Sequence, residues 1–155
     1  MMPRKRYETP EDRAKQQEVM DFIAAAWGDK VVHLPKAYQL DCAGIDDVDG
    51  DVQWIGEIKC RSHTSTKYQD LIISLLKFER GRTLISAAGT RLGMEFYIIV
   101  KFEDKVMFHR YAPEAHYLVT HGGRTLNTRD FEDIEPVVHI PIHTFYEIVK
   151  PVETP

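Results

Sequence analysis

The sequence predicts a single α/β (α+β) domain in which a mixed β-sheet is flanked by helices. A chain of 155 residues, 43% hydrophobic and 28% charged, can bury one core and is short for two. Helical and strand-like segments run in the order helix, strands, long helix, strand, strand. The near-continuous apolar run "MEFYIIVKF" reads as a central strand.

Each element has a local reason. In "TPEDRAKQQEVMDFIAAAW" (Thr9 to Trp27), Thr9 can cap a helix and Pro10 suits its first turn. Glu11 and Asp12 favour its positive end, and Val19, Phe22, Ile23 and Ala26 fall on one face. Gly28 ends it. "VVHLP" is a short strand. "AYQLDCAGI" and "DVQWIGEIKC" are strands around the acidic "DDVDGD", where Asp49-Gly50 is a strong turn signal. After the polar "RSHTSTK", the run "YQDLIISLLKFERGRTLISAAG" reads as one long helix, with Gly81 a weak spot and Gly89 a stop. "VMFHRYA" follows the central strand. "THGGRTLNTRD" is a loop, and "PVVHIPIHTFYEIV" supplies a strand and a short closing element.

Composition excludes some functions. No run is long enough to span a bilayer, and the basic start "MMPRKRYETPEDRAKQQ" lacks the apolar stretch of a signal peptide. Two cysteines, Cys42 and Cys60, make no disulfide framework, so a cytoplasmic protein without a membrane partner is expected. A net charge of −4 argues against an all-basic surface. The distribution is informative: Asp41 to Asp51 holds five acids and no base, while Glu57 to Leu92 holds seven Lys or Arg and three acids.

The sharpest feature is "WIGEIKCR". Side chains alternate along a strand, so Glu57 and Lys59 share one face while Ile58 and Cys60 share the other. With the turn centred near Asp49, residues whose numbers sum to about 98 face each other. Asp41 then lies opposite Glu57, and Leu40 opposite Ile58. Two carboxylates so close repel, and one takes up a proton unless a cation joins them. Asp41, Glu57 and the Ile58 carbonyl can offer hard oxygen ligands to a divalent metal, with waters completing the shell. Lys59 beside them can position an attacking water and offset charge on a phosphate. Glu-x-Lys alone is a weak signal, expected by chance on the order of once per two such chains. The specific signal is the combination of an Asp, a turn, Glu-x-Lys in a strand, and a following long helix.

These residues carry a resemblance. From about Glu18 to Phe102, "YQLDCAGIDDVDGDVQWIGEIKCR" followed by "YQDLIISLLKFERGRTL" resembles the PD-(D/E)xK nuclease superfamily, most of all its small stand-alone phage members. The resemblance implies a restriction-endonuclease-like core, about residues 10–110 of a single domain over 1–155, with a loop-rich extension over 111–155. It implies Asp41 and Glu57 as metal-binding acids and Lys59 as the catalytic lysine. Glu18 matches the acid that some members bring from the first helix, and Ser74 and Lys77 fall where members place an auxiliary polar residue. The naming proline does not adjoin Asp41, since Pro35 is six residues earlier, so Asp46 or Asp47 stays open as the first acid. Implied with the site are Mg²⁺ (Mn²⁺ substituting), DNA as substrate in duplex or branched form, products with a 5′-phosphate, and a host-cytoplasmic setting for a phage protein. A homodimer is compatible, since many relatives pair to cut two strands.

Bland readings stand beside these. Glu57 and Lys59 read blandly as a solvated strand face with a cross-strand ion pair, although flanking Trp54, Ile55 and Ile58 argue for burial. Arg61 is a phosphate contact or a surface residue. Glu18 reads more simply as helix surface, Tyr68 as core rather than a base-stacking ring, and the cysteines as core. His139 and His143 are separated by Pro141 and make no zinc pair. "HGGRTLNTR" is a connector or a DNA-contacting loop. The competing functions are a metal-dependent nuclease, a non-catalytic nucleic-acid-binding module on the same fold, and an interaction protein whose acidic turn binds a partner or cation.

Overall fold

The computed structural model describes residues 9–88, 93–122 and 135–151. Gly89, the basic start and most of "HGGRTLNTR" lie outside the described residues. The first helix, α1 (Pro10–Trp27), opens on a reciprocal cap. Thr9 Oγ1 accepts from the Asp12 amide at 3.2 Å, and Asp12 Oδ2 accepts from the Thr9 amide at 3.1 Å. Gly28, at φ 74°, closes the helix in the left-handed conformation by donating to the Ala24 carbonyl.

Strands β1 (Lys30–His33), β2 (Cys42–Ile45) and β3 (Val52–Cys60) form an antiparallel meander. The β2–β3 turn is tied by its aspartates: Asp46 Oδ1 accepts from the Val48 amide at 2.7 Å, and Asp49 Oδ1 from the Asp51 amide at 2.9 Å. Gly50 takes the positive φ of 75° that this turn requires. Cys42 pairs with Gly56, Ala43 with Ile55 and Gly44 with Trp54, so paired numbers sum to 98, with a one-residue shift only at Ile45.

The stretch read as one long helix divides. Residues Asp70–Ser74 are a strand, β4, and the helix α2 spans Leu75–Ala88. The reason is a local period of two: Leu71 and Ile73 are buried while Ile72 between them is 44% exposed. β4 pairs with β8 (Glu135–Pro141), which pairs with β7 (Leu118–Gly122), giving a three-stranded sheet. α2 then returns the chain to β5 (Glu95–Lys101), which lies parallel to β3. β6 (Val106–Arg110) and β9 (Tyr146–Glu147) complete a six-stranded sheet in the order β1-β2-β3-β5-β6-β9.

The large sheet has a core on each face. α1 buries Val19, Met20 and Ile23 against Cys42, Trp54, Ile58 and Ile99; each such side chain contributes about 1.5–3 kcal/mol. On the other face Ala43, Ile55, Phe96, Ile98 and Val100 meet Phe78 of α2 and Leu71, Ile73, Val138 and Ile140 of the small sheet. Gly81 is the point of closest approach: a Cβ there would run into the Phe96 ring. Among the described residues no helix is long and apolar enough to cross a membrane.

Candidate active site

β3 outruns β2. β2 begins only at Cys42, so the β3 edge beyond Gly56 has no strand partner on that side. Asp41 fills the gap. Its amide donates to the Gly56 carbonyl at 3.1 Å, carrying the pairing one step further. Its carboxylate curls back, and Oδ2 accepts from the Ile58 amide at 2.7 Å. A strand residue's N–H and C=O point to the same edge, so the Ile58 carbonyl faces the same gap.

Glu57 projects from β3 beside Asp41 and is 2% exposed. Its Oε1 lies 3.3 Å from Lys59 Nζ, while its Oε2 is buried with no hydrogen-bond partner. Burial first, and the Asp41 charge second, push the Glu57 carboxyl up to about 7, against the opposing pull of Lys59 and Lys77. Lys59, on the same face, is 27% exposed. All three line a cavity of about 1280 Å³, walled by the N-terminal half of α1 and the start of α2.

Other residues hold this arrangement. Gln16 of α1 donates to Asp41 Oδ1 at 3.5 Å. From α2, Lys77 Nζ donates to the Gln39 carbonyl at 2.7 Å. Gln39 is the non-glycine residue with positive φ among those described, at 59°. Arg80 donates to the Tyr38 and Ala37 carbonyls at 3.2 and 3.4 Å. Two cations thus grip the C-terminal carbonyls of the 3₁₀ turn Lys36–Tyr38, as the dipole of such a turn favours, and fix the bend leading into Asp41.

The structure brings Asp41, Glu57, Lys59 and the Ile58 backbone together, with Lys77 and Arg61 on the same cavity wall. Arg61 donates to the Ile72 carbonyl at 3.2 Å, bridging β3 and β4. Glu18 is exposed and does not line the cavity; Gln16, two residues earlier and turned about 200° around the helix, does. Ser74 ends β4 rather than sharing a helix face with Lys77, and its hydroxyl donates to Glu135 at 3.3 Å. Asp46 and Asp47 sit in the turn, about 17 Å of strand away from Glu57 at ~3.3 Å per residue. Tyr68, read as core, is 55% exposed. Cys42 packs on the α1 side, and burial pushes its thiol far up. His139 pairs with Asp70 at 3.5 Å and with Thr120 at 2.6 Å. Gln16 and Arg80 were missed because single polar helix residues carry no spacing signal.

The donor set suits a hard divalent cation. An orphaned carboxylate oxygen, a second carboxylate and an adjacent carbonyl are oxygen ligands in one gap. Among the described residues no three His, Cys, Asp or Glu side chains converge, so waters or substrate oxygens would complete the shell.

A solved structure, the Hjc Holliday junction resolvase of Archaeoglobus fulgidus, superposes with a TM-score of 0.56 at 13% identity, over 89% of this chain and 92% of that one. At that identity the likeness is one of fold, the restriction-endonuclease-like fold. No curated protein matches the sequence. The family model described as "Phage putative PDDEXK endonuclease" matches residues 2–148. With nearly its whole length matched, the chain belongs to this phage PD-(D/E)xK endonuclease family.

Proposed function

We propose that the protein is a Mg²⁺-dependent nuclease that hydrolyses DNA phosphodiester bonds, with Asp41, Glu57 and Lys59 as its reacting centre. The observation that carries this is the buried, unpartnered Glu57 Oε2 beside Asp41 and Lys59. A buried carboxylate oxygen without a hydrogen-bond partner destabilises the fold, and a cation held there would remove that cost. Asp41, Glu57 and the Ile58 carbonyl would hold the metal. A metal bound there lowers the pKa of a water and polarises the scissile phosphate.

The chain's own groups do the rest. Lys59 uses one of its three donors on Glu57, leaving two for the attacking water and a non-bridging phosphate oxygen. The Asp41–Ile58 hydrogen bond fixes the carboxylate through Oδ2, and the longer contact from Gln16 steadies Oδ1. Water oxygen attacks phosphorus as the P–O3′ bond breaks, leaving a 5′-phosphate and a 3′-hydroxyl. Arg61 and Lys77 on the cavity wall attract the flanking phosphates. The fold that the Archaeoglobus resolvase shares makes branched DNA a substrate to set beside plain duplex.

The test is cleavage of supercoiled plasmid and of a four-way junction with Mg²⁺, Mn²⁺ or EDTA. Cleavage is expected with either metal and not with EDTA, and is lost in Asp41→Ala and Glu57→Ala. Full activity in either variant overturns the site. Tight, salt-sensitive binding without cleavage would instead favour a non-catalytic module.

A further inference from the structure

A second cavity, of about 410 Å³, lies next to the catalytic one, between the loop after β3 and the small sheet. Arg61, the residue after β3, lines both cavities, so the two adjoin at its side chain. We propose that this second cavity is a nucleotide subsite that takes one unpaired base of the DNA strand whose phosphate lies at Glu57 and Lys59. This rests on the nuclease reading and adds a substrate class to it.

The lining has the chemistry of a base pocket. Its floor is apolar, with Leu71 and Phe102 both 3% exposed. Its wall is aromatic: the His63 and Tyr68 rings meet edge-to-face, with centroids 4.9 Å apart. Tyr68 is 55% exposed, an amphipathic ring left largely in water. The rim is polar, with the Gln69 amide able to pair with a base edge and Arg61 lying on the side toward the catalytic cavity. Lys67 Nζ stands 5.4 Å from the Tyr68 ring centroid and adds charge for a phosphate. An aromatic platform beside cations is how single-stranded nucleic acid is held, and a pocket of a few hundred Å³ is the size of a small-molecule site.

The pocket is also built to keep its shape. Asp104 in the β5–β6 turn accepts from the Ser65 amide at 2.7 Å and from its hydroxyl at 2.6 Å. The Glu103 amide donates to the His63 carbonyl at 3.0 Å. The loop bearing His63 and Tyr68 is therefore pinned by two successive residues of that turn, which reduces the ordering cost of binding. Arg61, two residues beyond Lys59 along the chain, sets the spacing: a base seated here belongs to a nucleotide adjacent to the scissile phosphate.

The experiment is fluorescence anisotropy with two labelled probes, a fully paired duplex and the same duplex with one unpaired nucleotide, with Ca²⁺ replacing Mg²⁺. Wild type should bind the unpaired-nucleotide probe more tightly. Tyr68→Ala should bind that probe about tenfold more weakly, the loss of one base–aromatic stack, with the paired probe changed less than about twofold. Tyr68→Phe, which keeps the ring, should retain wild-type affinity. Equal affinity of Tyr68→Ala and wild type for both probes, or equal weakening on both, overturns the subsite. Plasmid cleavage with Mg²⁺ separates the two readings. Cleavage without probe discrimination overturns the subsite alone, and discrimination without cleavage supports the subsite while overturning the nuclease.

Discussion

Replacing Glu57 by glutamine should make the metal-free protein more stable, by an amount that depends on pH. Glu57 is buried, one of its oxygens has no partner, and Asp41 repels its charge. Its carboxyl is pushed from an ordinary 4.5 up to about 7. The folded state therefore holds this proton more tightly than the unfolded chain. Wild-type stability is highest below about pH 4.5 as far as this group is concerned, falls as pH rises toward 7, and levels off above. The span corresponds to about 3 kcal/mol at ~1.36 kcal/mol per tenfold in proton affinity. Glutamine is the neutral isostere and escapes the fall. Urea unfolding followed by circular dichroism in EDTA, at pH 5 and pH 8, measures it. The Glu57→Gln variant should exceed wild type by about 3 kcal/mol at pH 8 and by far less at pH 5. Adding Mg²⁺ should raise wild-type stability and leave the variant nearly unchanged. A difference between the proteins that is the same at both pH values would refute the reasoning.

Other perturbations separate chemistry from structure. Lys59→Met should lower the cleavage rate by about 10²-fold or more, the role proposed for the lysine being on water and phosphate, and should weaken Mg²⁺ binding by calorimetry only at pH values where Glu57, its partner lost, takes up a proton. Gly81→Ala should destabilise by about 1–3 kcal/mol in urea unfolding despite alanine's better helix propensity, because the new methyl meets the Phe96 ring in a packed core. His109 is buried between Tyr117 at 2.9 Å and Thr144 at 2.9 Å, and burial pulls its imidazole below the usual histidine range. In a Glu57→Gln background, stability should fall as pH drops below about 6.5, where the unfolded chain gains a proton the folded one resists, and His109→Phe should flatten that dependence.

The parts of the fold legible in the sequence were those with a local cause. The Thr9 cap, the Gly28 stop and the Asp49-Gly50 turn each depend on residues within a few positions. Once the turn is placed, the register follows by counting, which is why Asp41 and Glu57 could be set opposite each other before any coordinates. "YQDLIISLL" failed for the complementary reason. Its apolar run fits a helix as well as a strand, and what decides the matter is β8, more than sixty residues further on. The same non-local pairing turned Ser74 away from the site toward Glu135. Gln16 was invisible because its partner Asp41 lies 25 positions further along the chain and only the tertiary fold brings the two together.

The placement of the charges follows from one mismatch in strand length. Had β2 run two residues further toward its N-terminus, to Leu40, the Ile58 amide would pair with backbone and Asp41 would have no reason to curl inward. Because β2 starts at Cys42, the edge of β3 needs a substitute acceptor, and the Asp41 carboxylate supplies it at 2.7 Å. That bond holds the Asp41 carboxylate close enough to Glu57 for its charge to raise the Glu57 carboxyl. Meanwhile β3 is held rigidly on its other edge, where its seven residues Trp54 to Cys60 pair with Glu95 to Lys101 of β5. The strand at Glu57 therefore cannot shift toward solvent to relieve that residue's burial. The strand keeps an unfavourable carboxyl pair in place, which a proton on Glu57 relieves and a bound cation would relieve, so above pH 7 the metal-free fold is less stable than its hydrophobic core alone would make it.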